Sequence, residues 1–221
     1  ANAINYREIY EELDSLVLAV YMPSSYVYPS KMEKYAKMGG GGNLTLGGRE
    51  TGVRRLMTTN LLKRLESSVC SFRLTLERVL AAMNAALKTI DDYRRGLASG
   101  ASVADGDLPG GFDFDPDDES GFEVGGATKI LVEDMDWMSW ERDIESDVAV
   151  IEVLISMVRD IDPAHDAKLI ELCEQIREKS QGPINPGNRK VLVFTAFSDT
   201  ADYLYENVSA FAKRELGLEC A

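Results

Sequence analysis

Apolar residues recur every three or four positions along most of this chain, which is the mark of amphipathic helices. Tyr6, Ile9, Tyr10, Leu13, Leu16, Val17 and Val20 predict a first helix over residues 5–20. Pro23 and Pro29 then interrupt regular structure, and Ser30 is placed to cap a short helix running to Met38. Six glycines between residues 39 and 48 read as a flexible loop. The longest pattern follows: Leu62, Leu65, Val69, Phe72, Leu76, Val79, Met83, Ala86, Ile90, Tyr93 and Leu97 alternate steps of three and four without a miss. No Pro or Gly falls inside it before Gly96, so it predicts one long helix of about 40 residues.

A lone helix cannot bury such a stripe, so it needs a partner. Beyond Gly96 the chain turns polar and glycine-rich to about residue 126. Trp137, Trp140, Ile144, Val148, Ile151, Ile155 and Val158 then resume helical spacing as far as Ile161. Two stripes of similar length joined by a polar loop predict an antiparallel helical hairpin within the chain; an intermolecular coiled coil is the alternative. Asp162-Pro163 reads as the start of a further helix with Leu169, Leu172, Cys173 and Ile176 on its face, ended by Gly182-Pro183. Val191-Leu-Val-Phe194 is a continuous apolar run that predicts a buried parallel strand. Ser198 is placed to cap a helix to Arg214, with Gly217 closing it, and Leu218–Ala221 resembles the beginning of another strand. A parallel strand–helix–strand unit needs more sheet around it, so the expectation is a piece excised from a larger protein.

The net charge is −13 over 221 residues, which argues against a general polyanion-binding surface. The charge is local, however. Residues 105–147 carry 15 acidic side chains against Lys129 and Arg142, and the remainder is balanced. The protein is thus a neutral chain with one acidic insert, at about 98–132, which reads first as a solvated loop, with docking of a basic protein partner the alternative. Three widely spaced cysteines, Cys70, Cys173 and Cys220, form no disulfide framework and fit a reducing, cytoplasmic setting. No apolar run is long enough to span a membrane, and no signal peptide is seen.

Most candidate motifs resolve into plain structure. The stretch Gly42–Arg49 lacks the Lys and Ser/Thr of a phosphate loop. Asp113–Glu119 opens like a calcium loop, but Asp118 and Val124 stand where Gly and a bidentate Glu are required. His165 beside Asp166 is a conceivable acid–base dyad without any nucleophile. Trp137 and Trp140 read as core residues rather than base-stacking ones. Neither a catalytic set nor a metal site is expected from this inventory. Arg54, Arg55, Lys63 and Arg64 cluster where the long helix begins, and such a cluster can contact phosphates without reading bases. Thr195 and Ser198 lie just past the C-terminal end of the predicted strand, where open parallel sheets bind ligands, beside a helix N-terminus suited to anions.

The stretch Asn188-Arg-Lys-Val-Leu-Val-Phe-Thr-Ala-Phe-Ser-Asp-Thr200 resembles the opening of the second RecA-like lobe of superfamily-two helicases of the bacterial Swi/Snf-like group. Leu61-Leu-Lys-Arg-Leu-Glu-Ser-Ser68, with Phe72 and Arg73, looks like the helical segment between the lobes of that group. Asp166-Ala-Lys-Leu169 looks like the helix before lobe two. The resemblance covers roughly residues 54–98 and 162–221. With the helical periodicity, it gives a mainly α fold: a helical segment and glycine-rich loop over 1–53, a long helical hairpin over 54–161, and, as the resemblance implies, a linker helix with the first strand and helix of a RecA-like α/β lobe over 162–221. It also implies part of an ATP-dependent translocase on nucleic acid, with duplex DNA the expected polymer. Thr195, Phe197 and Ser198 match a motif whose hydroxyl region runs along the nucleic-acid backbone in that family. With Arg54, Arg55, Lys63 and Arg64 they form the expected nucleic-acid contacts. Motifs for ATP are missing from this sequence, so ATP and Mg are expected of the full-length parent, and the fragment alone is expected to be inactive. The rival expectation is a helical scaffold that binds proteins through its heptad faces and acidic loop.

Overall fold

The computed structural model describes residues 6–36, 46–96, 102–104 and 129–220. It is mainly helical: α1 (Tyr6–Ser15), α2 (Met32–Ala36), α3 (Leu46–Ser67), α4 (Val69–Arg94), α5 (Trp137–Val158), α6 (Ala167–Gln181) and α7 (Ser198–Phe211). Two three-residue strands, β1 (Ser102–Ala104) and β2 (Lys129–Leu131), pair antiparallel with Val103 opposite Ile130. The acidic insert between them, including Asp113–Glu119, lies outside the described residues, as do residues 39–45 of the glycine tract.

The hairpin is present and antiparallel. Tyr93 near the end of α4 meets Trp137 at the start of α5, with ring centroids 6.3 Å apart, and Arg94 pairs with Glu141 at 3.2 Å. Phe72, Leu76, Val79, Met83 and Ile90 on α4 face Trp140, Ile144, Ile151, Leu154 and Val158 on α5, and all are buried. Each such side chain contributes about 1.5–3 kcal/mol relative to exposure. The heptad faces are therefore consumed inside the chain.

The predicted single long helix is two. The break is at Ser68, whose backbone is extended (φ −155°, ψ 136°) and whose Oγ accepts from Ser71 N, capping α4. Serine favours this role because its hydroxyl offers the backbone a partner outside the helix. The apolar stripe survives the break, since Leu61, Leu65, Val69 and Phe72 are all buried. The first of the two helices also begins earlier than expected, at Leu46. Gly47, Gly48 and Gly52 are helical, and the boundary drawn at 53/54 falls inside α3.

The N-terminal segment wraps around α5. The first helix stops at Ser15, short of the predicted residue 20, because Leu18 turns into the left-handed region at φ 57°. The buried Asp147 carboxylate on α5 explains this turn: it accepts from Val17 N and Ala19 N, both at 2.8 Å. Burial pushes the Asp147 carboxyl above its ordinary range. Trp140 Nε1 donates to Ala19 O at 2.9 Å, so this tryptophan is spoken for in the core. Ser24 donates through N and Oγ to Glu50 on α3 at 2.9 and 2.5 Å. Asp134, buried beneath α2, accepts from Tyr35 Oη and Lys34 Nζ, each at 2.6 Å, and pairs with Lys31 at 3.0 Å.

Three further expectations are corrected in the C-terminal part. The linker helix starts at Ala167 under an Asp166 cap; Asp162 instead binds Ala164 N and His165 N in a preceding turn. Residues 191–194 form no strand: they have no regular structure, pair with no strand among the described residues, and are open, with Leu192 81% and Phe194 89% exposed. The reading of a buried parallel strand fails because no other strand lies beside them in the described chain. Ser198 is the first residue of α7 and Phe197 its cap position. Gly217 does end the helical stretch, in the left-handed conformation at φ 62°, and residues 218–220 are irregular.

Candidate nucleic-acid interface

The residues around Thr195 are positioned by the α3–α4 break. Ser67 Oγ lies 3.5 Å from Thr195 Oγ1 and 3.1 Å from Thr200 Oγ1, so three hydroxyls gather at the start of α7. Thr195 Oγ1 also accepts from Phe197 N at 3.3 Å. A hydroxyl has one proton and two lone pairs; with one lone pair on the backbone, Thr195 keeps its proton for Ser67 or for an incoming phosphate oxygen. Ser198 is exposed on the first turn of α7, and Thr195 is half-buried.

Charge beneath this edge is internal. Arg64 is fully buried, and its Nη1 reaches Asp199 Oδ2 at 2.8 Å and Ser71 Oγ at 3.0 Å. Its guanidinium lies 4.6 Å from the centre of the Phe197 ring. Arg78 closes on the same carboxylate at 2.9 and 3.2 Å. The two guanidiniums hold the Asp199 carboxyl below its ordinary range. Lys168 Nζ at the start of α6 donates to the backbone carbonyl of Glu66, and Tyr203 Oη donates to Asp166 Oδ2 at 3.0 Å.

The predicted contact residues thus divide. Thr195, Phe197, Ser198 and Arg64 come together, but Arg64 and Phe197 are interior and stack on each other, so neither presents itself to a polymer. Lys63, next to Arg64, is exposed. Arg55 is exposed too, while Arg54 is half-buried with Nη2 3.4 Å from Leu16 O. The arginine pair sits about 15 Å up α3 from Arg64, so the basic cluster is spread along the helix and not focused at Thr195. Ser67, Thr200, Asp199 and Arg78 were missed. The Ser67-Ser68 pair was a signal for a break, and an acidic residue in the first turn of a helix was a signal for pairing.

His165 is exposed, with Nδ1 2.6 Å from Asp162 Oδ1. Asp166 is buried as the α6 cap, so the conceivable dyad does not form and His165 is a surface histidine. The hydrogen bond from His165 holds the Asp162 carboxyl below its ordinary range. Among the described residues no group of three or more His, Cys, Asp or Glu is placed to hold a metal ion, and no helix is long and apolar enough to cross a membrane.

The chain matches no known family model, no curated protein and no solved structure.

Proposed function

We propose that this chain is the inter-lobe part of an ATP-dependent nucleic-acid translocase of the Swi/Snf-like helicase kind, and that Thr195 and Ser198 lie along a phosphate backbone there. One observation carries the reading. The three stretches that resemble this family, 61–73, 166–169 and 188–200, lie far apart in sequence and meet at one place. Arg64 and Ser67 touch the third stretch, and Lys168 of the second binds the end of the first. Ser198 is exposed, Thr195 is half-exposed and Lys63 is exposed on α3, an arrangement that suits a polyanion without base readout.

The residues present do not fit ATP or Mg. Gly42–Arg49 lacks the phosphate-binding Lys, and from Leu46 onward the chain is helical. These groups belong to the parent protein in this proposal, and the chain alone is inactive. The scaffold reading loses its main support, because the heptad faces of α4 and α5 are spent on each other. The test is ATP hydrolysis by the parent protein with and without duplex DNA. Stimulation by DNA is expected; its absence overturns the enzymatic reading.

A further inference from the structure

The contiguous apolar core runs from Ile9 on α1 to Val158 on α5 and takes in no described residue of α6 or α7. Those two helices make contacts of their own: Arg177 lies over the Phe211 ring at 5.1 Å and pairs with Glu215, and Tyr203 binds Asp166. What joins them to the hairpin is mostly polar. Asp199 is shared by Arg64 from α3 and Arg78 from α4, Ser67 meets Thr195 and Thr200, and Lys168 meets the Glu66 carbonyl. An apolar interface is tolerant of sliding, whereas a carboxylate held by two guanidiniums fixes one geometry. The Arg64 guanidinium is fully buried, so removing the Asp199 carboxylate from a buried ion pair is costly.

We propose that the Asp199 carboxylate, gripped by Arg64 and Arg78, is a clasp that sets the C-terminal helices, and with them the Thr195–Ser198 edge, at a fixed angle to the helical hairpin. Asp199, Arg64 and Arg78 are then positioning residues: they touch no polymer, and they hold the residues that do. The clasp stands on the contacts themselves; its importance for nucleic acid rests on the proposed function above.

Hydrogen exchange on the intact 221-residue chain tests the clasp, with Asp199→Asn, Asp199→Glu and Arg78→Gln. Arg78 is one-third exposed, so its replacement is the gentler variant if Asp199→Asn fails to fold. Amides of residues 198–211 are expected to exchange at least about tenfold faster in Arg78→Gln and Asp199→Asn, the ratio that loss of a charged hydrogen bond brings. Amides of residues 140–154 on α5 keep their rates, and Asp199→Glu recovers part of the protection. Unchanged exchange in 198–211, or equal acceleration in α5, overturns the clasp. In the parent protein, Arg78→Gln is expected to lower DNA-stimulated hydrolysis and to spare DNA-independent hydrolysis; an unaltered stimulated rate overturns the positioning role. A parent without DNA stimulation refutes the functional reading and leaves the exchange result intact.

Discussion

Asp134→Asn is a sharp test of the charge-based account of this fold. Asp134 ties the turn after β2 to α2, and its side chain is 3% exposed. Its Oδ2 accepts from the buried Tyr35 hydroxyl at 2.6 Å. The Tyr35 bond, a buried hydrogen bond to an ionised group, is of the kind that contributes about 1.5–3 kcal/mol. Lys31 and Lys34 are half-exposed, so their ion pairs are screened and add little. The amide keeps the shape and one acceptor, and it loses the charge. The expected loss at pH 7 is therefore about 2 kcal/mol, read as a lower urea midpoint. The pH dependence gives the refutation. The Lys34 and Tyr35 hydrogen bonds hold the Asp134 carboxyl well below the usual carboxylate range. A depressed folded value means the ionised form is favoured by folding. Its contribution is full above the unfolded pKa of about 3.9 and is lost as pH falls toward the folded value. Wild type and Asp134→Asn should differ by a constant amount from pH 5 to 7. Below pH 4 the gap should shrink by up to about 1.4 kcal/mol per pH unit. A gap that is the same at pH 3 and pH 7 means that Asp134 acts by packing alone, and the electrostatic argument fails.

Ser68→Ala removes the cap of α4 and should cost about 1 kcal/mol by urea or thermal unfolding, with the helix content of the native state unchanged. Phe194→Lys changes a side chain already in solvent, so its unfolding midpoint should stay within about 0.5 kcal/mol of wild type, where a buried-strand position would lose several. Thr195→Ala with Ser198→Ala in the parent protein should weaken DNA binding in a filter or anisotropy assay and lower DNA-stimulated hydrolysis; normal affinity and stimulation would count against the phosphate-contact role.

Much of the helical architecture was legible because burial writes a period into sequence. The stripe from Leu62 to Leu97 and its partner from Trp137 to Ile161 place the hairpin, its apolar core and the ends of α5 within a turn; the start of the first long helix is misplaced, because α3 begins at Leu46. The backbone break at Ser68 was not legible from that stripe, since the apolar spacing continues through it undisturbed. The turn at Leu18 was hidden for a different reason: its cause, Asp147, lies 129 residues further along the chain. The strand reading of 191–194 went wrong because β-branched composition reports a preference, and a strand also needs a neighbour to pair with. At the candidate interface, Thr195 and Ser198 were singled out by residue type and by their place before α7, and the structure gathers Thr195 with Ser67 and Thr200 there. Arg64 misled because a basic residue in an exposed-looking cluster reads the same whether it faces water or a buried aspartate across the fold.

The separation between clasp and hairpin tip gives the α4–α5 pair a mechanical character. Arg78 holds Asp199 part-way along α4, while Arg94 and Glu141 meet at its C-terminal end. Sixteen residues of helix separate them, about 24 Å. For a rigid pair, a rotation of about 5° about Asp199 would displace the Arg94–Glu141 end by about 2 Å, so a clasp that holds the angle at Asp199 also holds the far end in place.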